Sequence, residues 1–434
     1  MTSPETVRRA LAAIDRDARA RILATLARRF GDLDLAEDAT QDAFAQAITS
    51  WPHTGVPESP EAWLKTAAKR KALDVVRRES VLAQKLARLR IEQERAPAAD
   101  RLGDPADATA AQAVPDERLA LFFACAHPVM SIEDRVALTL RFVAGLTTAE
   151  VAHALLVPVT TMQQRIVRAK KRIRTLGVPL EVPPREQLPA RLCEVQRVVY
   201  LLYAEGFARS AGEAHVRDDL TSEAIRLARI LRALVGGEAC AQAASSELTG
   251  LLALLLLTEA RRPARVNGSQ GQPVPLAAQD RQLWNREFIV EGLTLAEAAA
   301  GAPGAGPYAI QAAIAAVHAE AESFAQTDWK QIAVLYGLLE ALEPGPVVRL
   351  GRAVALGRAH GPAVGLRLLD TLADDPALAG FRPFHIARAV TLEELADYPG
   401  AVAAYRRALA IPGNEAEDGY LAAALDGILG GLRG

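Results

Sequence analysis

Apolar positions recur at three- and four-residue spacing along most of the chain. No run of valine, isoleucine, threonine and tyrosine alternates with polar residues as a strand would. The stretch VRRALAAIDRDARARILATLARRFG reads as one amphipathic helix stopping at Gly31, a plausible C-cap. A second helix runs from near Asp34 to about Ser50, and SWPHTGVPESP follows as a loop punctuated by three prolines and a glycine. Pro60 or Glu61 opens a third helix, EAWLKTAAKRKALDVVRRES, whose packing face is Leu64, Ala68, Ala72 and Val75. Periodicity then lapses over residues 91–115, which are rich in alanine, proline and aspartate and read as a linker.

Order resumes at DERLALFFACAHP and continues into a compact trihelical unit. Ser131 with Asp134 has the form of an N-cap and a charged first turn. Thr147 with Glu150, and Thr160 with Gln163, have the form of capping boxes. Helix, tight turn, helix at this spacing is the helix-turn-helix pattern. From residue 187 onward the pattern stays helical, with interruptions at 261–276 and 301–306. Near the end, Ala401, Tyr405, Ala408 and Pro412 fall at the spacing of the second half of a tetratricopeptide unit, so this part reads as a helical-hairpin solenoid.

Composition strengthens the all-α assignment. Half of the 434 residues are hydrophobic but only 5% are aromatic, and alanine and leucine dominate. GLLALLLL (250–257) is far shorter than the ~20 residues that cross a bilayer, and reads as a buried helix. The first turn is charged and has no apolar signal core, so a cytoplasmic protein with no membrane partner is expected. Cys125, Cys193 and Cys240 are far apart and form no C-x-x-C. Cys125 and His127 are too few for a metal site and fit a buried thiol beside a helix end. No metal, cofactor or catalytic residue is expected.

The formal charge is only −2, yet TTMQQRIVRAKKRIR (160–174) holds six basic residues and no acid. At 100° per residue, Met162, Ile166, Ala169 and Ile173 form an inward stripe. The outward face centres on Thr161, Gln164, Arg168 and Lys171, with Arg165, Lys170 and Arg172 on its shoulders. Glutamine and arginine can pair with base edges, flanking basic residues can take phosphates, and the helix start at Thr160 can turn amides toward a phosphate. In the first 90 residues, Asp34, Asp38, Gln41 and Asp42 make an acidic stripe, with Phe44 near its boundary. Trp63, Arg70, Arg77 and Arg78 lie opposite the packing face of the third helix, a set able to stack on and clamp unstacked bases.

In order and spacing, these motifs resemble the extracytoplasmic-function sigma factors of bacterial RNA polymerase over residues 6–176. The motifs are the D-x-x-Q-x-x-F helix, the proline-rich loop, EAWLKTAAKRKALDVVRRE, the linker and SIEDRVALTLRFVAGLTTAEVAHALLVPVTTMQQRIVRAKKRIR. The rest resembles the subgroup with a long tetratricopeptide-like extension, through LLYAEGF, DLTSEAIRLARIL, GLLALLLLTEARRPAR and GPYAIQAAIAAVHAEA. The resemblance implies sigma region 2 at 1–90, a flexible acidic linker at 91–115, and sigma region 4 at 116–176. A helical extension at 187–300 and tetratricopeptide-like repeats at 301–434 would follow. Its implied partners are core RNA polymerase, promoter DNA, and a protein or peptide on the repeats. Asp38, Gln41, Asp42 and Phe44 match the core-polymerase helix. Residues 51–60, including Trp51, match the loop that captures a flipped −10 base. Lys65, Lys69, Arg70, Asp74 and Arg77 match the helix beside the melted strand, and Trp63 and Arg78 complete the −10 set. Thr160, Thr161, Gln164, Arg165, Arg168, Lys171 and Arg172 fall on the −35 helix. Lys69-Arg70-Lys71 departs from the neutral polar pair of many relatives, and the linker is unusually acidic.

Two other readings compete. A one-component helix-turn-helix regulator with a helical-repeat sensor accounts for 131–434 but gives residues 30–80 no task. An enzyme in the C-terminal half could draw on Glu205, His215, Asp218 and Asp219, but no nucleophile motif or phosphate loop accompanies them.

Overall fold

The computed structural model describes residues 3–12, 14, 16–91, 117–155, 157–208, 215–236, 242–267 and 271–431. The chain divides into two compact units, 1–198 and 199–434. Among the described residues its regular structure is helical apart from one two-stranded hairpin.

The first unit opens with α1 (Pro4–Ala12) and α2 (Arg16–Phe30), two helices where the periodicity predicts one. Nine residues make a marginal helix on their own, and α1 is held by burying Val7 and Leu11. Gly31 caps α2 as expected, with φ +69° and its N–H donating to the Ala27 carbonyl. The next residue starts α3 (Leu33–Thr54), with the Asp32 carboxylate accepting from the amides of Asp34 and Leu35 at 2.7 and 3.1 Å. The face of α3 carrying Ala36, Ala39, Ala43, Ala47 and Trp51 is buried, as are Leu64, Ala68 and Ala72 of α4 (Pro60–Ile91). Alanine on both sides lets these helices pack closely. Val75, expected on the packing face, is 38% exposed. Because α3 continues through Pro52, the predicted loop shrinks to residues 55–59, and α4 runs past the predicted Ser80. All but residue 91 of the expected linker lies outside the described residues.

α5 (Glu117–Cys125) packs on α2, and its apolar run from Leu119 to Cys125 is buried. α6 (Ile132–Leu138) begins at Ser131, whose hydroxyl accepts the Asp134 amide, and widens into a π-helical turn at Thr139–Val143. α7 (Thr148–Ala154) has the predicted reciprocal box. The Thr147 amide donates to Glu150 at 2.7 Å, and the Glu150 amide to the Thr147 hydroxyl at 3.2 Å. α8 (Val159–Thr175) does not have one, because Pro158 occupies the cap position and places Thr160 inside the first turn. α9 (Leu188–Phe207) carries the chain into the second unit.

The second unit is organised around α11 (Gln242–Glu259), preceded by α10 (Asp218–Gly236). Leu251, Leu252, Leu255, Leu256 and Leu257 of α11 are all buried, since α10, α13 (Arg286–Ala300) and α14 (Pro307–Glu320) surround it. A short α12 (Arg262–Arg265) leads into β1 (Val266–Asn267), paired antiparallel with β2 (Gln272–Pro273) inside the predicted interruption. α14 packs so closely on α11 that a Cβ on Gly250 would lie 2.6 Å from the Ala309 amide nitrogen. At that crossing the Glu247 carboxylate accepts the amides of Gly306, Tyr308 and Ala309 at 2.9–3.1 Å, capping α14 from a different helix. The chain then proceeds through α15 (Trp329–Leu342), α16 (Pro346–His360), α17 (Pro362–Thr371), α18 (Pro376–Ala379), α19 (Arg382–Glu394), α20 (Tyr398–Leu409) and α21 (Glu415–Gly431). Sequence neighbours pack against one another, and Ala401, Tyr405 and Ala408 are buried. Among the described residues no helix is long and apolar enough to cross a membrane.

This crossing gives a stability prediction. Gly250→Ala should cost about 1–3 kcal/mol by overpacking. Glu247→Ala should cost about 0.5–2 kcal/mol by uncapping α14. Both are to be measured by urea unfolding, followed by a probe in the second unit.

Candidate nucleic-acid interface

The interface is built from α8 outward. Met162, Ile166, Ala169 and Ile173 are buried as the helical wheel requires, which fixes the rotation of the helix. The turn before it is tight, with the Val157 amide donating to the Ala152 carbonyl at 3.0 Å. Thr160, Thr161, Gln164, Arg168, Lys171 and Arg172 are consequently exposed, and Arg165 is half-buried near Glu133. Arg168 leans along the helix, its Nε donating to the Gln164 carbonyl at 3.3 Å. Among the described residues no acid pairs with Arg168, Lys171 or Arg172. Half of the helix's basic groups are therefore available to a polyanion, set between a glutamine and two threonines that can add hydrogen bonds.

Lys170 and Arg174 have another role. Lys170 Nζ lies 2.5 Å from Asp34 Oδ1 and 3.0 Å from Glu37 Oε2 of α3. Arg174 approaches Asp32 and Asp34 at 3.4 and 3.5 Å. From the π-helical turn, Arg141 pairs with Glu37 and donates to the Leu146 carbonyl. Burial acts to lower the Lys170 ammonium, but hydrogen bonds to Asp34 and Glu37 outweigh it and hold the group above the usual lysine range. Lys170 and Arg141 are only 11% and 17% exposed, so these contacts are shielded from solvent, unlike ordinary surface pairs. On the helical wheel alone Lys170 falls on the shoulder of a DNA-facing surface, and no local pattern gives Glu37 or Arg141 a role. Opposite charge was the available signal, but nothing in a linear sequence says which acid meets which base.

On α3, Asp38, Gln41 and Asp42 share an exposed face, and Phe44 is half-buried beneath the Arg19 guanidinium at 4.1 Å. Burial, then the neighbouring Glu37, raises the Asp38 carboxyl above its ordinary range. On α4, Lys65, Lys69, Arg70, Asp74, Arg77 and Arg78 are exposed and Trp63 is half-buried. Trp51 is different. It is wholly buried, edge-on to Trp63 at 5.3 Å, and has no surface to offer DNA. With α3 continuing past Ser50, position 51 falls four residues after Ala47 on the buried face.

Elsewhere the polar candidates are held by the fold. Cys125 is buried, and His127 Nδ1 accepts the Val129 amide at 3.2 Å. No cluster of three metal-ligating side chains occurs among the described residues. His215 lies between Arg265 and Asn414, 3.4 and 3.3 Å from its two ring nitrogens. Burial, then Arg265, lowers it to about 4. Asp218 pairs with Arg262, and Asp219 with Arg217.

Comparison with known proteins places these elements. Residues 16–81 match the Sigma-70 region 2 family, residues 123–173 match Sigma-70 region 4, and residues 191–300 match a family of unknown function, DUF6596. An uncharacterized protein of Rhizobium meliloti (strain 1021) is 39% identical over 409 residues, 94% of this chain and 93% of that protein. No solved structure gives a significant match. The first two matches cover α2–α4 and the helices from the end of α5 to α8, the segments that present the acidic and basic faces described above. The chain thus carries sigma-70 region 2 and region 4 domains, which support a sigma-factor role in promoter recognition and transcription initiation.

Proposed function

We propose that this protein is an extracytoplasmic-function sigma factor whose tetratricopeptide-like C-terminal extension regulates it. The exposed Gln164–Arg168–Lys171 face, on a helix whose rotation is fixed by a buried stripe, carries this reading. In it, Thr160, Thr161, Gln164, Arg165, Arg168, Lys171 and Arg172 contact the −35 element. Lys65, Lys69, Arg70, Asp74, Arg77 and Arg78 line the path of the melted −10 strand with Trp63, while Trp51 supports Trp63 from the core. Asp38, Gln41, Asp42 and Phe44 dock on core polymerase, an assignment that gives the first 90 residues a task a one-component regulator would not need. The ion pairs from α3 to Arg141, Lys170 and Arg174 hold the two DNA-contacting parts together in the free protein, and they open when the factor loads. The helical pairs of the extension supply a surface for a protein or peptide partner.

Arg168→Ala and Lys171→Ala should each weaken binding to a cognate promoter by roughly 1–3 kcal/mol in a sequence-dependent way. Arg172→Ala should weaken all duplexes alike and flatten the salt dependence. Equal losses on cognate and scrambled DNA for all three would overturn the base-reading assignment. Lys170→Gln should speed association with core polymerase, measured by stopped-flow fluorescence, because it weakens the clamp without touching the proposed docking residues. An unchanged or slower rate would remove the clamp from the loading step. Arg135 pairs with Glu194, and Arg191 donates to the Phe123 carbonyl, so the first compact unit extends into α9. A chain ending at Ala208 keeps that unit whole. It should bind core polymerase yet lose promoter-dependent transcription, whereas activity above full length would make the extension an inhibitor.

A further inference from the structure

Three arginines close together after α11 meet different fates. Arg262 pairs with Asp218 at 2.5 Å and with Glu259 at 2.7 Å. Arg265 donates to the Phe207 carbonyl at 2.7 Å and stacks on the Phe207 ring at 3.3 Å. Arg261 has no carboxylate and no side-chain hydrogen bond among the described residues. Its guanidinium lines a cavity of about 210 Å³ between α11, α14 and α15.

The cavity has two kinds of wall. One is apolar, from Leu254, Leu257, Ile314 and Ala315. The other is polar, from Thr258, Arg261, Gln311, His318 and Tyr336. His318 Nδ1 is buried without a hydrogen-bond partner. Burial, then the fields of Arg261 and Arg281, lowers this imidazole to about 4, so it is neutral at pH 7 and can donate from Nδ1 in one tautomer. Arg281 adds positive potential while its own hydrogen bonds go to the carbonyls of His318 and Ala321, each at 2.6 Å. It stacks on Trp284 at 4.4 Å. Arg261 is half-buried, and a partly desolvated guanidinium without an anion is costly. Its planar fork matches a carboxylate with two parallel hydrogen bonds. The cavity is smaller than the ~300–1,000 Å³ typical of drug-sized ligands, so the occupant is small.

We propose that this cavity binds a small organic carboxylate, the carboxylate on Arg261 and His318 and the apolar body against Leu254, Leu257 and Ile314. That it would then serve as the signal-receiving site of the extension rests on the sigma-factor reading above; the binding itself does not.

Full-length protein without polymerase or DNA suffices for the test, with sodium benzoate as the probe. Benzoate should raise the melting temperature saturably, while sodium chloride at equal ionic strength should not. Arg261→Met should weaken half-saturation roughly tenfold or more. His318→Phe should weaken it less. Without benzoate, Arg261→Met should melt at or above the wild-type temperature, because it removes a half-buried charge that has no counter-ion among the described residues. Four results would overturn the proposal: no saturable shift with benzoate, the same shift in Arg261→Met, a saturable shift with inorganic phosphate in place of benzoate, or a ligand-free Arg261→Met that melts below wild type.

Discussion

The first unit depends on a few acids at the start of α3 meeting bases from two separate elements. Asp32 plays two parts, capping α3 through one carboxylate oxygen and facing Arg174 through the other. Glu37 is shared by Arg141 and Lys170, which joins the π-helical turn to α8 through a single carboxylate. The widened turn explains how Arg141 reaches it, since a π-helical register re-aims side chains that a regular helix would point elsewhere. The same contacts take Lys170 and Arg174 out of the charge that α8 can offer and leave Arg168, Lys171 and Arg172 free among the described residues. The inward stripe that seats the helix also decides which bases fall in each set.

In the second unit, charge is buried on purpose and mostly answered. Glu259 accepts from the Thr221 hydroxyl at 3.0 Å and from Tyr203 at 3.3 Å, and pairs with Arg262. Burial still raises its carboxyl above the ordinary range, despite those partners. Such a network contributes little net stability over an apolar core, but removing one member leaves the rest unpaired. Against that background Arg261 stands out as a charge left for something else to neutralise.

Much of this was legible in the sequence where the signal was local. Gly31, Ser131 and the Thr147–Glu150 pair mark their helix ends because caps are made by residues three or four apart. Met162, Ile166, Ala169 and Ile173 face inward because the wheel needs only the helix itself. The sigma-like ordering of motifs likewise lies on the surface of the sequence. The misses share one cause. Trp51, Lys170 and Thr160 each read correctly as a residue type but wrongly as a position, because the outcome depended on where α3 ended, what faced α8, and how Pro158 set the first turn. The 261–276 interruption read as loop because two-residue strands are too short to alternate. Arg261 carried no sequence signal, since its cavity needs α11 to meet a helix pair about fifty residues further along the chain.

The division of charge on α8 has a consequence for how the protein responds to its ionic surroundings. Added salt weakens exposed contacts to a polyanion most, through counterion release and screening. It acts less on the shielded Lys170 and Arg141 contacts, but in the same direction. On the proposed loading step, release of the clamp and binding of promoter DNA are pulled opposite ways by one variable, the first eased and the second weakened as salt rises. That proposal implies a preferred ionic strength rather than a monotonic preference for dilute buffer.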